Sequence, residues 1–121
     1  MNISIRDISG SKIAEMQSKG IIIRSVRDAD EIIAQLLEQE ISKLILHERN
    51  LIPEFWKISS GLASEILQKF ADKKIAVAVV GEFDKHKSKG LNAFITEANL
   101  ESQVFFTNDI ELAHGRFSAK K

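Results

Sequence analysis

Apolar and polar residues alternate at the start of the chain. Ile3, Ile5 and Ile8 are separated by polar residues, which is the pattern of a half-buried strand. The polar turn 9–11 follows, and apolar residues resume within 13–16. The pattern therefore predicts that a β-hairpin opens the chain.

Later stretches repeat apolar residues every three or four positions, as on one face of a helix. Short, continuous apolar runs lie between them and are typical of strands covered on both faces. The predicted helices lie at 26–39, 60–72, 89–99 and, for a short fourth one, 108–113, and the predicted strands at 42–47, 75–80 and 103–107. Because strands alternate with helices, we predict an α/β domain: a mixed sheet opened by the hairpin, with about four helices packed on it.

Polar residues mark where two of the predicted helices begin or end. Ser25 and Asp28 fit a capping box at the start of the first helix. Asn108 with Glu111 resembles a second cap. Gly115 is expected to end the helix that this second cap opens, since glycine commonly follows the last helical turn.

Composition narrows the classes of function. The chain has 121 residues with 17 basic and 17 acidic side chains, so the formal net charge is zero. This neutrality gives no electrostatic reason to expect a nucleic acid or a membrane surface as partner. The absence of cysteine excludes thiolate catalysis and disulfides. From the length, we expect one domain over 1–117 with a frayed tail at 118–121. We also expect no secretory signal, and hence a cytoplasmic location, and no cofactor.

A loop near the middle of the chain reads Ser59-Ser60-Gly61-Leu62 and opens the second predicted helix. It resembles the Asp-Ser-Ser-Gly-Leu loop of the STAS domain, the anti-sigma-factor-antagonist fold, with Ile58 in place of the Asp. The resemblance implies a STAS-like fold, which opens with a hairpin and continues through alternating helices and strands. It also implies that Ser60 stands where STAS antagonists are phosphorylated by a partner kinase.

A second resemblance covers nearly the whole chain. Its most distinctive runs are 61–70, 79–83 and 89–95. These runs are similar to those of a bacterial family catalogued as domain of unknown function 4180. That family has no established activity, so the resemblance implies a fold and leaves the role open.

The segment before the second helix is the candidate partner surface, made of Phe55, Trp56, Ser59, Ser60 and Gly61. Ser60 can be an N-cap alone, because its hydroxyl lies where helix N–H groups need partners. The alternative is a regulatory phosphosite, since a helix N-terminus stabilises phosphate. Phe55 and Trp56 either pack into the core or expose one ring as an anchor for a partner.

A basic loop follows the predicted strand at 75–80. Lys85, His86, Lys87 and Lys89 could hold a phosphate or carboxylate near the carboxyl ends of the strands. No glycine-rich phosphate-binding motif accompanies them. The alternative is a solvated loop that its acidic neighbours partly neutralise.

The three histidines are dispersed along the sequence. His47, His86 and His114 lack the spacing typical of metal ligands, so we predict no metal site. Glu48 follows His47 directly, and adjacent residues of a strand point to opposite faces, which argues against an acid–base pair. We assign no catalytic residue.

These observations favour a non-catalytic regulatory or protein-interaction domain that presents residues 55–62 to an unknown protein partner. The alternative is a small-molecule or anion-binding domain, with or without enzymatic activity, that uses residues 85–89. A purely structural subunit of a homodimer is a third option.

Overall fold

The computed structural model describes residues 3–8, 11–57, 60–82 and 104–118. The strands are β1 (Ile3–Ile8), β2 (Ser11–Met16), β3 (Lys43–His47), β4 (Ala76–Val80) and β5 (Val104–Thr107). The α-helices within these ranges are α1 (Val26–Glu38), α2 (Leu62–Asp72) and α3 (Ile110–Ser118), and two short 3-10 turns span Glu48–Asn50 and Pro53–Trp56. The mixed α/β class is therefore confirmed. The helix predicted at 89–99 lies outside the described residues. Of the tail predicted at 118–121, residues 119–121 also lie outside them, and Ser118 is the last residue of α3.

The five strands form one sheet in the order β1-β2-β3-β4-β5. β1 and β2 are antiparallel, which confirms the predicted hairpin, and the other neighbouring strands are parallel. Because every parallel crossover steps in the same direction, right-handed connections place α1 and α2 on one face of the sheet. The strand order has no reversal, the point at which open α/β sheets commonly form a ligand crevice.

Within the described residues, an apolar cluster lies on each face of the sheet. On one face, α1 and α2 pack against strand side chains such as Leu44, Leu46 and Val77 in the large core. The opposite face carries a smaller apolar cluster beneath α3, formed by Ile13, Ile45, Ala78 and Ala113. Within the described ranges, no helix has the length and apolar character needed to cross a membrane.

The start of α1 differs from the predicted capping box. Ser25 makes no side-chain cap hydrogen bond. The Asp28 carboxylate instead accepts the backbone N–H of Arg24 at 2.8 Å, one residue further back than the box requires. The acidic residue still closes the first turn, and it does so without a reciprocal bond from the serine.

The ends of α3 also differ from their prediction. The cap is Asp109 rather than Asn108, because the Asp109 carboxylate accepts the N–H of Glu111 at 2.9 Å. The helix continues through Gly115 to Ser118 instead of ending at the glycine. A glycine within a helix costs only about 1 kcal/mol relative to alanine, so neighbouring contacts on the sheet can outweigh it.

Candidate functional site

Phe55 and Trp56 lie in the turn Pro53–Trp56 and are buried, with only 1% and 5% of their surfaces exposed. Their ring centroids are 4.9 Å apart in an edge-to-face arrangement, and Trp56 meets Phe106 of β5 in the same way at 6.3 Å. The core-packing interpretation is confirmed, and the interpretation of one ring as an exposed anchor is wrong. Burial of both rings removes a large apolar area from water, so packing them in the core has a lower free energy than leaving one ring exposed.

Ser60 follows this aromatic pair in the chain and is exposed. Its hydroxyl oxygen lies 2.7 Å from the Lys57 carbonyl and 2.9 Å from the Glu54 carbonyl. With one hydrogen, the hydroxyl donates to one of these carbonyls at a time. It also accepts the N–H of Leu62 at 3.2 Å, so it satisfies one of the free donors at the start of α2. Ser59, also part of the candidate surface, lies outside the described residues.

Gly61 separates Ser60 from α2 and explains why the helix begins at Leu62 rather than at the predicted residue 60. Its φ angle is +76°, in the left-handed region that favours glycine. The left-handed residue turns the chain between the Ser60 hydroxyl and the first helical turn. The position of Ser60 therefore depends on a backbone conformation that other residues rarely adopt.

We predict that Gly61→Ala and Gly115→Ala change stability in opposite directions. Gly61→Ala should cost about 1–2 kcal/mol, because alanine is strained at positive φ although its Cβ would meet no atom within 4 Å. Gly115→Ala should add roughly 0.5–1 kcal/mol, because that site is helical and equally open. Urea unfolding of both variants measures the difference. A Gly61→Ala variant as stable as wild type would contradict the assigned backbone conformation.

A second group of polar side chains lies at the carboxyl ends of β2 and β3. Glu15 Oε2 faces His47 Nε2 at 3.4 Å, and Glu15 Oε1 faces His114 Nε2 of α3 at 3.2 Å. The side chains of Glu15, His47 and His114 are 11%, 16% and 17% exposed. This group was not predicted from the sequence, because its members are far apart in the chain. An acidic residue inside the apolar strand segment 13–16 is the signal that could have indicated it.

The hydrogen bonds of His47 define its protonation state. Its imidazole accepts the backbone N–H of Asn50. Because Nε2 faces Glu15, we assign the accepting atom as Nδ1, which places the proton on Nε2 for donation to the carboxylate. Burial is the main cause that lowers the pKa of His47 from 6.5; nearby Arg49 adds to the effect, and Glu15 opposes it. In this assignment both ring nitrogens of His47 have partners, and the imidazole that makes both contacts is the neutral one.

Asn50 connects this group to the segment that follows β2. Its fully buried side chain accepts the N–H of His47 at 2.9 Å and donates to the carbonyls of Ser18 and Gly20 at 2.9 and 3.0 Å. Its backbone carbonyl accepts the N–H groups of Ile22 and Ile23, at 2.9 and 3.0 Å. We call these contacts the Asn50 junction, which joins residues 18–23 to residues 47–50.

In the described contacts, the polar side chains of this region bond to other groups of the protein: His47 and His114 to Glu15, and Asn50 to the carbonyls of Ser18 and Gly20. Across the part of the chain that the structure describes, no group of three or more His, Asp or Glu side chains could hold a metal ion. The carboxylate that faces His47 is Glu15, whereas Glu48 accepts the N–H of Glu82 at 3.1 Å.

The basic loop and the candidate partner surface are the other predicted sites. Lys85, His86, Lys87 and Lys89 lie outside the described residues. Anion binding by that loop therefore stays a prediction. Ser60 and Gly61 are the members of the candidate partner surface that are not buried within the described ranges.

The structure is therefore a mixed α/β domain with two polar regions. One is the turn that carries Ser60 before α2, and the other is the Asn50 junction with the adjoining Glu15 and histidines at the ends of β2 and β3. A comparison with family models matches residues 8–117 to the domain of unknown function DUF4180. The match covers most of the chain, so the chain belongs to this family. A comparison with curated proteins found no match, and neither did a comparison with solved structures.

Proposed function

We propose that the chain is a non-catalytic regulatory domain that binds a protein partner through the start of α2. The proposed contact region, called the α2-start surface, consists of Glu54, Lys57, Ser60, Gly61 and Ser64. The observation that carries the proposal is the exposed Ser60, whose hydroxyl contacts two carbonyls and one N–H of the same turn. A side chain with this many local bonds is pre-organised for recognition, which reduces the entropy lost on binding.

The buried aromatic pair holds the backbone that precedes this surface in the core. Phe55 and Trp56 are fixed in the core immediately before Lys57, and the Lys57 carbonyl is one acceptor of the Ser60 hydroxyl. The aromatic rings therefore position the exposed turn instead of contacting the partner themselves. This division of roles replaces the expectation that a Phe55 or Trp56 ring is an exposed anchor.

Modification of Ser60 would change the α2-start surface. A phosphorylated serine has no hydroxyl hydrogen to donate, so the bonds to the Lys57 and Glu54 carbonyls would be lost. The added negative charge would face two carbonyl oxygens on one side and the N-terminus of α2 on the other. We therefore propose that phosphorylation rearranges the turn and changes its affinity for the partner.

The test compares Ser60→Asp with Ser64→Asp in partner capture by immobilised protein from cells that express it. Both serines are exposed, and both variants add one negative charge near the start of α2. Only Ser60→Asp removes the hydroxyl that bonds within the turn. We expect Ser60→Asp to change capture of the wild-type partner by about tenfold, equivalent to about 1.4 kcal/mol, while Ser64→Asp changes it less.

Circular dichroism and urea unfolding of both variants serve as controls for folding. Equal capture by wild type, Ser60→Asp and Ser64→Asp would contradict the proposal that this turn binds the partner. A protein captured to the same extent by the wild type and by both variants would have to bind elsewhere on the domain.

The finer fold assignment also belongs to this proposal. We propose that the domain is STAS-like and acts in the bacterial cytoplasm. The N-terminal hairpin and the Ser60-Gly61-Leu62 sequence at the start of α2 support the assignment. The alternative role, anion binding by residues 85–89, predicts that phosphate or a carboxylate raises the melting temperature, because ligands that bind the folded state stabilise it.

A further inference from the structure

Both ring nitrogens of His47 make a polar contact. Nε2 faces the Glu15 carboxylate of β2, and the other nitrogen accepts the N–H of Asn50 at the end of the turn Glu48–Asn50. The backbone N–H of His47 in turn donates to the side chain of Asn50. The side chain of His47 therefore bonds to the backbone of Asn50, and the side chain of Asn50 bonds to the backbone of His47. These two hydrogen bonds close the turn.

Protonation is incompatible with this arrangement. A doubly protonated imidazole has an N–H at both ring nitrogens and cannot accept a hydrogen bond. The Nδ1–H would then face the N–H of Asn50, so two donors would meet without an acceptor. A rotation of the ring that relieved this contact would break the contact with Glu15.

Among the described residues, charged and titratable groups near His47 come from β2, the adjoining turn and α3. Glu15 of β2 faces Nε2 directly, and Arg49 lies in the adjoining turn. His114 of α3 faces the other oxygen of the same Glu15 carboxylate. Glu15 favours a positive imidazole, whereas burial and Arg49 disfavour it. Burial is the largest of these effects and lowers the pKa of His47 from 6.5, which agrees with the geometric argument.

We propose that protonation of His47 opens the Asn50 junction, so that the domain contains an acid-sensitive switch at the carboxyl ends of β2 and β3. Opening of the turn Glu48–Asn50 withdraws the Asn50 groups that contact residues 18–23. The backbones of Ile23 and Leu51 form a parallel bridge across the junction, and their buried side chains then become exposed. Acid therefore uncovers an apolar patch.

The sign of the pH dependence follows from linkage. A histidine whose folded-state pKa lies below the unfolded value binds fewer protons in the closed form. His47 contributes its full stabilisation of the closed junction above pH 6.5, the ordinary pKa of a histidine. This contribution is lost as the pH falls through the lowered folded-state pKa of His47. One proton taken up on opening gives a limiting slope of about tenfold in the opening constant per pH unit.

The test is amide hydrogen exchange of Ile22 and Ile23, whose N–H groups bond to the Asn50 carbonyl. In the wild type, the opening constant should rise toward about tenfold per pH unit below about pH 6.5, after correction for intrinsic exchange. His47→Asn should abolish this rise, because its amide oxygen can accept the N–H of Asn50 and does not titrate. His114→Gln is the matched control: it removes the other histidine that contacts Glu15, and the rise should remain.

Nitrogen NMR of the wild-type imidazole gives a second measurement, which needs no variant to fold. We expect the proton of His47 on Nε2 at about neutral pH. An Nδ1–H form, an opening constant that does not change with pH, or an unchanged acid response in His47→Asn would each overturn the proposal.

Discussion

Trp56→Ala should lower the free energy of unfolding by about 3–5 kcal/mol, the usual cost of deleting a large buried aromatic side chain. The ring is 5% exposed and meets both Phe55 and Phe106 edge to face. Its loss would leave a cavity between the turn Pro53–Trp56 and β5. Because a domain of this size is typically stable by only about 5–15 kcal/mol, the variant should be close to unfolding at physiological temperature.

Urea unfolding measures this effect, and Trp56→Phe is the matched control because it retains an aromatic ring at the site. We expect the Phe variant to lose less than half as much stability as Trp56→Ala. A loss below about 1 kcal/mol in Trp56→Ala would contradict the buried position of the ring. Weaker partner capture by Trp56→Ala would indicate unfolding rather than a lost contact, so Trp56 is unsuitable as a probe of the α2-start surface.

Asn50→Ala should be the second strongly destabilising change, with a loss of about 3 kcal/mol or more. The buried side chain makes three hydrogen bonds, to the N–H of His47 and to the carbonyls of Ser18 and Gly20. Alanine can replace none of them, and each buried polar group that loses its partner costs about 1–3 kcal/mol. The turn after β3 and the segment after β2 would lose their common contact.

Asn108→Ala is the matched control, since Asn108 is exposed and should change stability by no more than about 0.5 kcal/mol. Asn50→Asp tests the donor half of the side chain separately. It preserves the acceptor for His47, but it places a carboxylate oxygen against two carbonyls. Thermal unfolding compares the three variants, and an Asn50→Asp protein as stable as wild type would contradict the two donor contacts.

The periodic parts of the fold could be predicted from the sequence. The alternation of Ile3, Ile5 and Ile8 predicted the first strand, and the apolar run at 75–80 predicted β4 within one residue. These features depend on short-range spacing, because period two or period 3.6 in hydrophobicity decides which face of an element is buried. The amphipathic pattern predicted α1 at 26–39, and the structure ends it at Glu38.

The ends of helices were less predictable because several nearby polar groups compete for the same backbone donors. Asp28 bonds to Arg24, whereas the expected box uses Ser25, and Asp109 replaces the neighbouring Asn108 as the cap of α3. Gly115 was expected to end a helix, but it lies inside α3 because tertiary contacts override a propensity of about 1 kcal/mol.

The contacts of Glu15 with His47 and His114 could not be predicted at all from local spacing. Glu15, His47 and His114 meet only because β2 and β3 are parallel neighbours and α3 packs across the same face. The burial of Phe55 and Trp56 was one of two interpretations, and the tertiary structure decided between them. In both cases the missing information is which distant segment covers a given side chain.

The most direct measurement of the proposed function is photo-crosslinking from a reactive amino acid placed at Lys57, beside Ser60 on the α2-start surface. The control position is Glu38, an exposed residue at the end of α1. We predict that the captured partner crosslinks from position 57 and not from position 38, and that the additional Ser60→Asp substitution changes the yield at position 57. Crosslinks from position 38 alone, or equal yields from both positions, would contradict the assignment of the start of α2 as the partner surface.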